Sequence, residues 1–288
     1  MPTRRSEVPM HRPEGLRLAL QQGARAWMRV VPIVLVLALA ACDSPEERVE
    51  KHFARAQALL EASELAKARI ELRNVLRIDP EHVPARYQLG ELAEEAGNAR
   101  AALGNYTRVA EQDPDHLEAR IKLMQFHFMA GQLDTANTYA EEALAIDADN
   151  VEALGIYAAI LYRLGDPDRA LTNAQRAVEL DPDAIAANVV ILDDMIRRGE
   201  SDQAVIVLDE LLERQPEDQT LNVFKLRMAV NSGDERAVEQ QLVRMVSLFP
   251  DAPQYRVALA QLLVERDRVD EAEAQLRALV ETRPDDAA

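Results

Sequence analysis

Apolar and small residues recur along this chain with a period of 34. Pro80, Pro114, Pro182, Pro216, Pro250 and Pro284 stand 34 or 68 residues apart, and Ala148 fills the one skipped place. With proline counted as position 32, repeats begin at Val49, Val83, Leu117, Val151, Ile185, Gln219 and Pro253. Position 20 is then Ala68, Ala102, Ala136, Ala170, Ala204, Val238 and Ala272, and position 15 is Gly97, Gly131, Gly165, Gly199 and Gly233 in five repeats. Positions 24 and 27 stay apolar throughout, from Leu72 and Val75 to Leu276 and Leu279. Each repeat therefore reads as two helices, A and B. Glycine at 15 supplies the positive φ that closes helix A, and proline at 32 cannot continue helix B. Small residues at 8 and 20, such as Ala158 with Ala170, let the two helices approach closely. Positions 24 and 27, three apart, lay one apolar stripe of helix B against the following helix A. Three places break the pattern: Ser63 and Asp267 replace glycine, and Lys225 stands where an apolar residue is expected.

These residues, recurring in register, resemble the tetratricopeptide repeat (TPR). The resemblance implies an all-α fold, a right-handed TPR solenoid of about seven helix-turn-helix repeats spanning residues 49–286. It also implies that positions 2, 5, 9, 12 and 13 of helix A face a concave groove. At positions 5 and 12 that groove carries Phe53, Tyr87, Ile121, Phe128, Tyr162, Val189, Ile196, Val223 and Val230, interrupted by Gly155 and Glu94. The expected ligand is a protein or peptide segment with apolar anchors. Apolar residues at 5 and 12 also pack between neighbouring helices, so both roles stay open to them. Some TPR proteins clamp a carboxylate through Lys and Asn at positions 2, 5 and 9; here those slots hold neither. Asp193 and Arg227 share position 9 of adjacent repeats and are placed to pair across the groove, and Asp194, at a normally apolar position 10, reads as a partly buried carboxylate near Arg227 or Arg197.

Ahead of the repeats, Met28-Arg29 leads into an apolar run over residues 30–41, about half the ~20 residues of a spanning helix, followed by Cys42. Such a run reads as the core of a signal peptide. Leu39-Ala40-Ala41-Cys42 resembles the lipobox of bacterial lipoproteins, which implies a signal peptide over 1–41, lipidation of Cys42, and a short linker over 42–48. Met28 is an alternative start. On this reading the protein is lipid-anchored in the cell envelope and faces the periplasm; Asp43 resembles an enteric inner-membrane retention signal, a rule that leaves inner and outer membrane open. Cys42-Asp43-Ser44-Pro45-Glu46 running straight into the first repeat, with Ile70–Leu76 in helix B, looks like the TPR lipoproteins of PEP-CTERM/exosortase systems.

The formal charge is −17, and with six Arg and two Glu in residues 1–41 the remainder holds 27 basic against 48 acidic residues. That body repels phosphate backbones, which excludes nucleic acid as a partner. One Cys excludes a disulfide framework and a multi-thiolate zinc site. His82 and His116 fall in connecting loops, no two histidines have metal-ligand spacing, and neither a phosphate-binding Gly-rich loop nor a nucleophile elbow is present. The expectation is a scaffold with no cofactor, no metal and no catalysis, or alternatively an accessory lipoprotein of an exopolysaccharide, protein-export or pilus system. Leu276, Leu279 and Val280 present an apolar stripe on the last helix B, which suggests either an eighth repeat beyond residues 287–288 or self-association through this helix.

Overall fold

The structure, a computed structural model, describes residues 43–282. The apolar run over 30–41, Cys42, Pro284 and the final residues lie outside them. The described residues fall into two compact units, divided between Ala96 and Gly97. Every described element is a helix.

In the first unit, α1 (Pro45–Glu61), α2 (Leu65–Ile78) and α3 (Val83–Glu95) follow one another. Helix α1 begins inside the stretch read above as a linker. Ser44 caps it, the Ser44 hydroxyl accepting from the Glu47 N–H while Glu47 accepts from the Ser44 N–H, and Pro45 occupies the first turn where a missing N–H costs nothing. Ala56, Ala68, Leu72, Val75, Ala85, Leu89 and Leu92 form the core. His52 on α1 meets the Glu71 carboxylate on α2 at 2.5 Å, and this hydrogen bond holds Glu71 below its ordinary pKa.

The second unit contains α4 (Ala99–Gln112), α5 (Leu117–Met129), α6 (Leu133–Ile146), α7 (Val151–Leu164), α8 (Pro167–Leu180), α9 (Ile185–Arg197), α10 (Ser201–Arg214), α11 (Gln219–Ser232), α12 (Glu235–Leu248), α13 (Pro253–Glu265) and α14 (Val269–Thr282). Odd-numbered helices are helix A of a repeat and even-numbered ones helix B. Packing is local: helices touch those adjacent in sequence or one removed. The buried residues of α6 and α8 are all alanine, Ala136, Ala140, Ala143, Ala170, Ala174 and Ala177, so these helices approach their neighbours where larger side chains would hold them apart. From α9 onward the filling changes to larger residues, Leu192, Leu208, Leu211, Leu221 and Phe224.

The turn at position 15 keeps one conformation in all seven repeats. The five glycines have φ between 69° and 87°, and Ser63 (57°) and Asp267 (59°) adopt the same left-handed backbone without being glycine. No heavy atom lies within 4 Å of where a side chain would start at any of the five, so backbone conformation alone selects glycine here. A non-glycine residue in this region loses about 1–2 kcal/mol, against the ~0.5–1 kcal/mol that glycine's extra freedom costs. Ser63→Gly and Asp267→Gly are therefore each expected to gain about 0.5 kcal/mol, read as a higher urea midpoint. A lowered midpoint in both would mean that their side chains contribute more than the strain removes.

Loops repeat as strictly as helices. In the first four repeats an aspartate at position 31 (Asp79, Asp113, Asp147, Asp181) accepts from the backbone N–H two residues on, at 2.9–3.2 Å. His82, His116, Asn150 and Asp218 at position 34 cap the next helix A through their side chains. The two loop histidines thus satisfy helix ends. Position 4, whose role the periodicity did not suggest, ties helix A to its surroundings. Arg86, Asn188 and Asn222 donate to the carbonyls of Pro80, Pro182 and Pro216. His52, Asn222 and Arg256 at this position also meet the residue nineteen further on, Glu71, Gln241 and Gln275. In the Asn222–Gln241 pair both side chains are buried and both amides are used.

Candidate functional site

Within residues 97–282, α5, α7, α9 and α11 lie side by side in that order. Their positions 2, 5, 9, 12 and 13 form the candidate face. Gly155 is why α7 and α9 approach most closely: a side chain there would begin 3.2 Å from both the Ala186 side chain and the Ala187 backbone nitrogen. What looked in sequence like a gap in an apolar stripe is the contact point of two helices.

The predicted groove residues divide by burial. Ile121 is only 5% exposed and belongs to the core, so it is not available to a partner, because it is covered by the packing around α7. Phe128, Tyr162, Val189 and Ile196 are half-buried, whereas Val223 and Val230 are exposed at 42% and 57%. In the first unit Phe53 and Tyr87 are both half-buried, and the Phe53 ring lies 4.8 Å from the His82 imidazole. Met129, next to Phe128, is 72% exposed and extends the stripe.

Polar side chains link successive helices across this face. Gln125 on α5 donates to Glu152 on α7 at 2.7 Å. The Arg163 guanidinium of α7 lies 5.0 Å above the Phe128 ring of α5. Arg197 of α9, held charged above all by Asp194, also meets the Tyr162 hydroxyl of α7. Arg227 of α11 donates to Asp193 of α9 at 2.5 Å, as the shared position 9 suggested, and stacks 4.3 Å over Phe224. Burial raises the pKa of Asp193 and Arg227 opposes that rise. In sequence Arg197 reads only as a candidate partner of Asp194 and Arg163 is passed over, although the two sit 34 residues apart at position 13, already assigned to the groove.

Asp194 is 2% exposed, and its partners are Arg197 and Arg198 rather than Arg227. One carboxylate oxygen takes Arg197 at 2.5 Å and the other takes Arg198 at 3.0 Å. Both oxygens are thus occupied by guanidinium donors of the same helix end. Among the described residues no group of three or more His, Cys, Asp or Glu is disposed to hold a metal ion. No described helix is long and apolar enough to cross a membrane. On α14, Leu276 and Val280 are exposed and Leu279 is half-buried.

The face therefore combines partly exposed apolar side chains with polar links between successive helices. Comparison with known proteins agrees with the architecture. A tetratricopeptide repeat family model matches residues 93–160, 127–187 and 230–288, and a second matches 53–116. No curated protein sequence matches the chain. Among solved structures, a tetratricopeptide repeat protein from Parabacteroides merdae superposes with a TM-score of 0.65 at 14% identity, over 80% of this chain and 91% of that one. PilF of Pseudomonas aeruginosa gives 0.55 at 15% identity, over 75% and 99%. PilW, a type IV pilus biogenesis factor, gives 0.54 at 20% identity, over 68% and 92%. At these identities the likeness is one of fold. Repeats of this kind are in general non-catalytic scaffolds for protein–protein interaction, and the sevenfold 34-residue register, the fourteen described helices and the family match together establish that this chain belongs to the tetratricopeptide repeat family.

Proposed function

We propose that this protein is a lipid-anchored scaffold in the cell envelope, facing the periplasm, that holds a partner protein on the helix-A face of residues 97–282. The observation that carries the binding half is the exposure of Val223 and Val230 on α11, in line with half-buried Tyr162 and Ile196 on the preceding A helices. A repeat array that needed these residues only for its own packing would bury them. The anchoring half rests on the lipobox-like Leu39-Ala40-Ala41-Cys42. Three acyl chains on a processed Cys42 hold a protein firmly where one gives only marginal residence.

Two measurements test the two halves. Labelled palmitate is expected in the wild type and absent from Cys42→Ala; unlabelled, full-length wild type in the soluble fraction removes the anchor. For the face, Val223→Glu/Val230→Glu is expected to weaken capture of the partner from detergent-solubilised membranes by about tenfold, near the 1–2 kcal/mol of a modest anchor, with unchanged helicity. Arg69→Ala, outside the face, serves as the control. Equal loss in both assigns the valines no role in recognition.

A second reading is an accessory lipoprotein of an export, exopolysaccharide or pilus assembly system. The fold shared with PilF and with the pilus biogenesis factor PilW is compatible with it, as is the resemblance of the N-terminal segment to PEP-CTERM-associated lipoproteins. Glycosyltransferase, exosortase or pilus genes beside this one distinguish it from the general scaffold.

A further inference from the structure

Positions 7 and 11 of helix A are both filled by large apolar side chains in the fourth, fifth and seventh repeats. In the seventh repeat they are Leu259 and Leu263, each 3% exposed, and in the fourth they are Tyr157 and Leu161, also buried. The sixth repeat has Lys225 and Ala229 instead. Lys225 donates to Asp209 of α10 at 2.7 Å, both residues lining the space that remains, and Ala229 is too short to fill it. A cleft of about 520 Å³ is left between α10 and α11, reaching the end of α9 and the start of α12. Its walls are Val205, Leu208, Met228 and Ala229, with Ile196 and Ala237 at the edges. Val205 remains exposed although it faces this space.

Clefts of this volume with mostly apolar walls and a few polar groups are the usual form of small-molecule sites. The polar groups here are unequal in charge. Asp202, Asp209 and Asp234 line the cleft against a single ammonium, and that ammonium is already paired with Asp209. Asp234 spends one oxygen on capping α12. The cleft thus offers apolar contact and carries unbalanced negative charge, which discriminates against anions and favours a cation that brings its own apolar surface.

We propose that this cleft binds a small organic cation, an ammonium on an aliphatic or aromatic body, with the body against Val205, Leu208 and Met228 and the charge toward Asp202 and Asp234. The site borders the partner face, with Ile196 at the edge of both, but its ligand is recognised by the α10–α11 walls and not by the occupant of that face.

The test uses the full chain and two probes matched in size, hexylammonium and hexanoate, followed by ligand-observed NMR and by the thermal midpoint. Hexylammonium is expected to bind and to raise the midpoint, with hexanoate weaker by about tenfold or more, the factor set by reversing the charge against the aspartates. Lys225→Leu/Ala229→Leu restores the filling of the seventh repeat and is expected to remove hexylammonium binding while the helical signal is retained. Asp202→Asn leaves the cleft open and is expected to weaken the cation about threefold, as losing one exposed charge contact does. Equal binding of the two probes, or hexylammonium binding that survives the filled variant, overturns the proposal. So does the absence of any hexylammonium effect at millimolar concentration.

Discussion

Replacing Arg197 and Arg198 together by alanine is expected to cost about 3 kcal/mol of folding stability, the lower end of what removing the partners of a buried charge costs, because both guanidinia are themselves half in water. Asp194 is almost wholly buried, and each of its two oxygens is held by one of these guanidinia. The stranded carboxylate must take up a proton or drag water inward. Asp194→Leu is expected to behave in the opposite way, neutral or stabilising, since the same position holds Leu92, Ile160 and Leu262 in other repeats and a buried ion pair is often replaceable by hydrocarbon of similar volume. Urea unfolding of the double arginine variant, of Asp194→Leu and of the triple combination completes the comparison. If Asp194→Leu rescues the loss, the charge was the problem; if it does not, the arginines stabilise α9 through something other than this pair.

Gly155→Leu is the second large effect, an expected loss of about 2–3 kcal/mol. A leucine side chain beginning 3.2 Å from the Ala187 nitrogen meets backbone, which cannot rotate aside, so α7 and α9 must separate. Gly155→Ala is expected to stay within about 1 kcal/mol of the wild type, because alanine's better helix propensity, worth about 1 kcal/mol, offsets the tight contact. Thermal and urea unfolding distinguish the two. A Gly155→Leu protein as stable as the wild type shows that these helices can move apart without losing packing elsewhere.

The comparison of Gly155 with Gly165 shows where sequence reading succeeds. Gly165 ends α7 at a position that repeats through the chain, and its left-handed backbone follows from the period alone. Gly155 has no counterpart in other repeats, so only the coordinates reveal that it marks a close approach. The repeat boundaries, the fourteen helices and the buried small residues at position 20 were legible because each is repeated several times. The start of α1 was not, because Ser44 and Pro45 form a cap that belongs to the first repeat only. Ser63 and Asp267, read as departures from glycine, keep the turn all the same, since the surrounding helix pair over-determines the backbone.

The candidate site was legible by position and not by exposure. Periodicity places Ile121 and Val223 at the same slot; burial depends on how far the next helix covers each, and the two differ widely. The polar ties between positions 4 and 23 were hidden for a different reason. His–Glu, Asn–Gln and Arg–Gln pairs share geometry while sharing no residue type, so a scan for identical residues passes over them, whereas a scan for hydrogen-bonding pairs at a spacing of nineteen finds them.

The cleft beside Lys225 also bears on how the second unit comes apart. Because each helix pair leans only on its neighbours, stability propagates along such an array as a chain of nearest-neighbour couplings, and the weakest coupling sets the boundary between cooperative blocks. Ala-lined crossings bind α5 through α9 into one contiguous core, while α12 to α14 carry another. Between them, Leu208, Leu211, Leu221 and Phe224 carry the contact of α10 with α11, and the cleft beside Lys225 thins it. This thinned coupling is the expected boundary for sub-global unfolding of residues 97–282, and a molecule lodged in the cleft is expected to brace it and so to raise the cooperativity of the array.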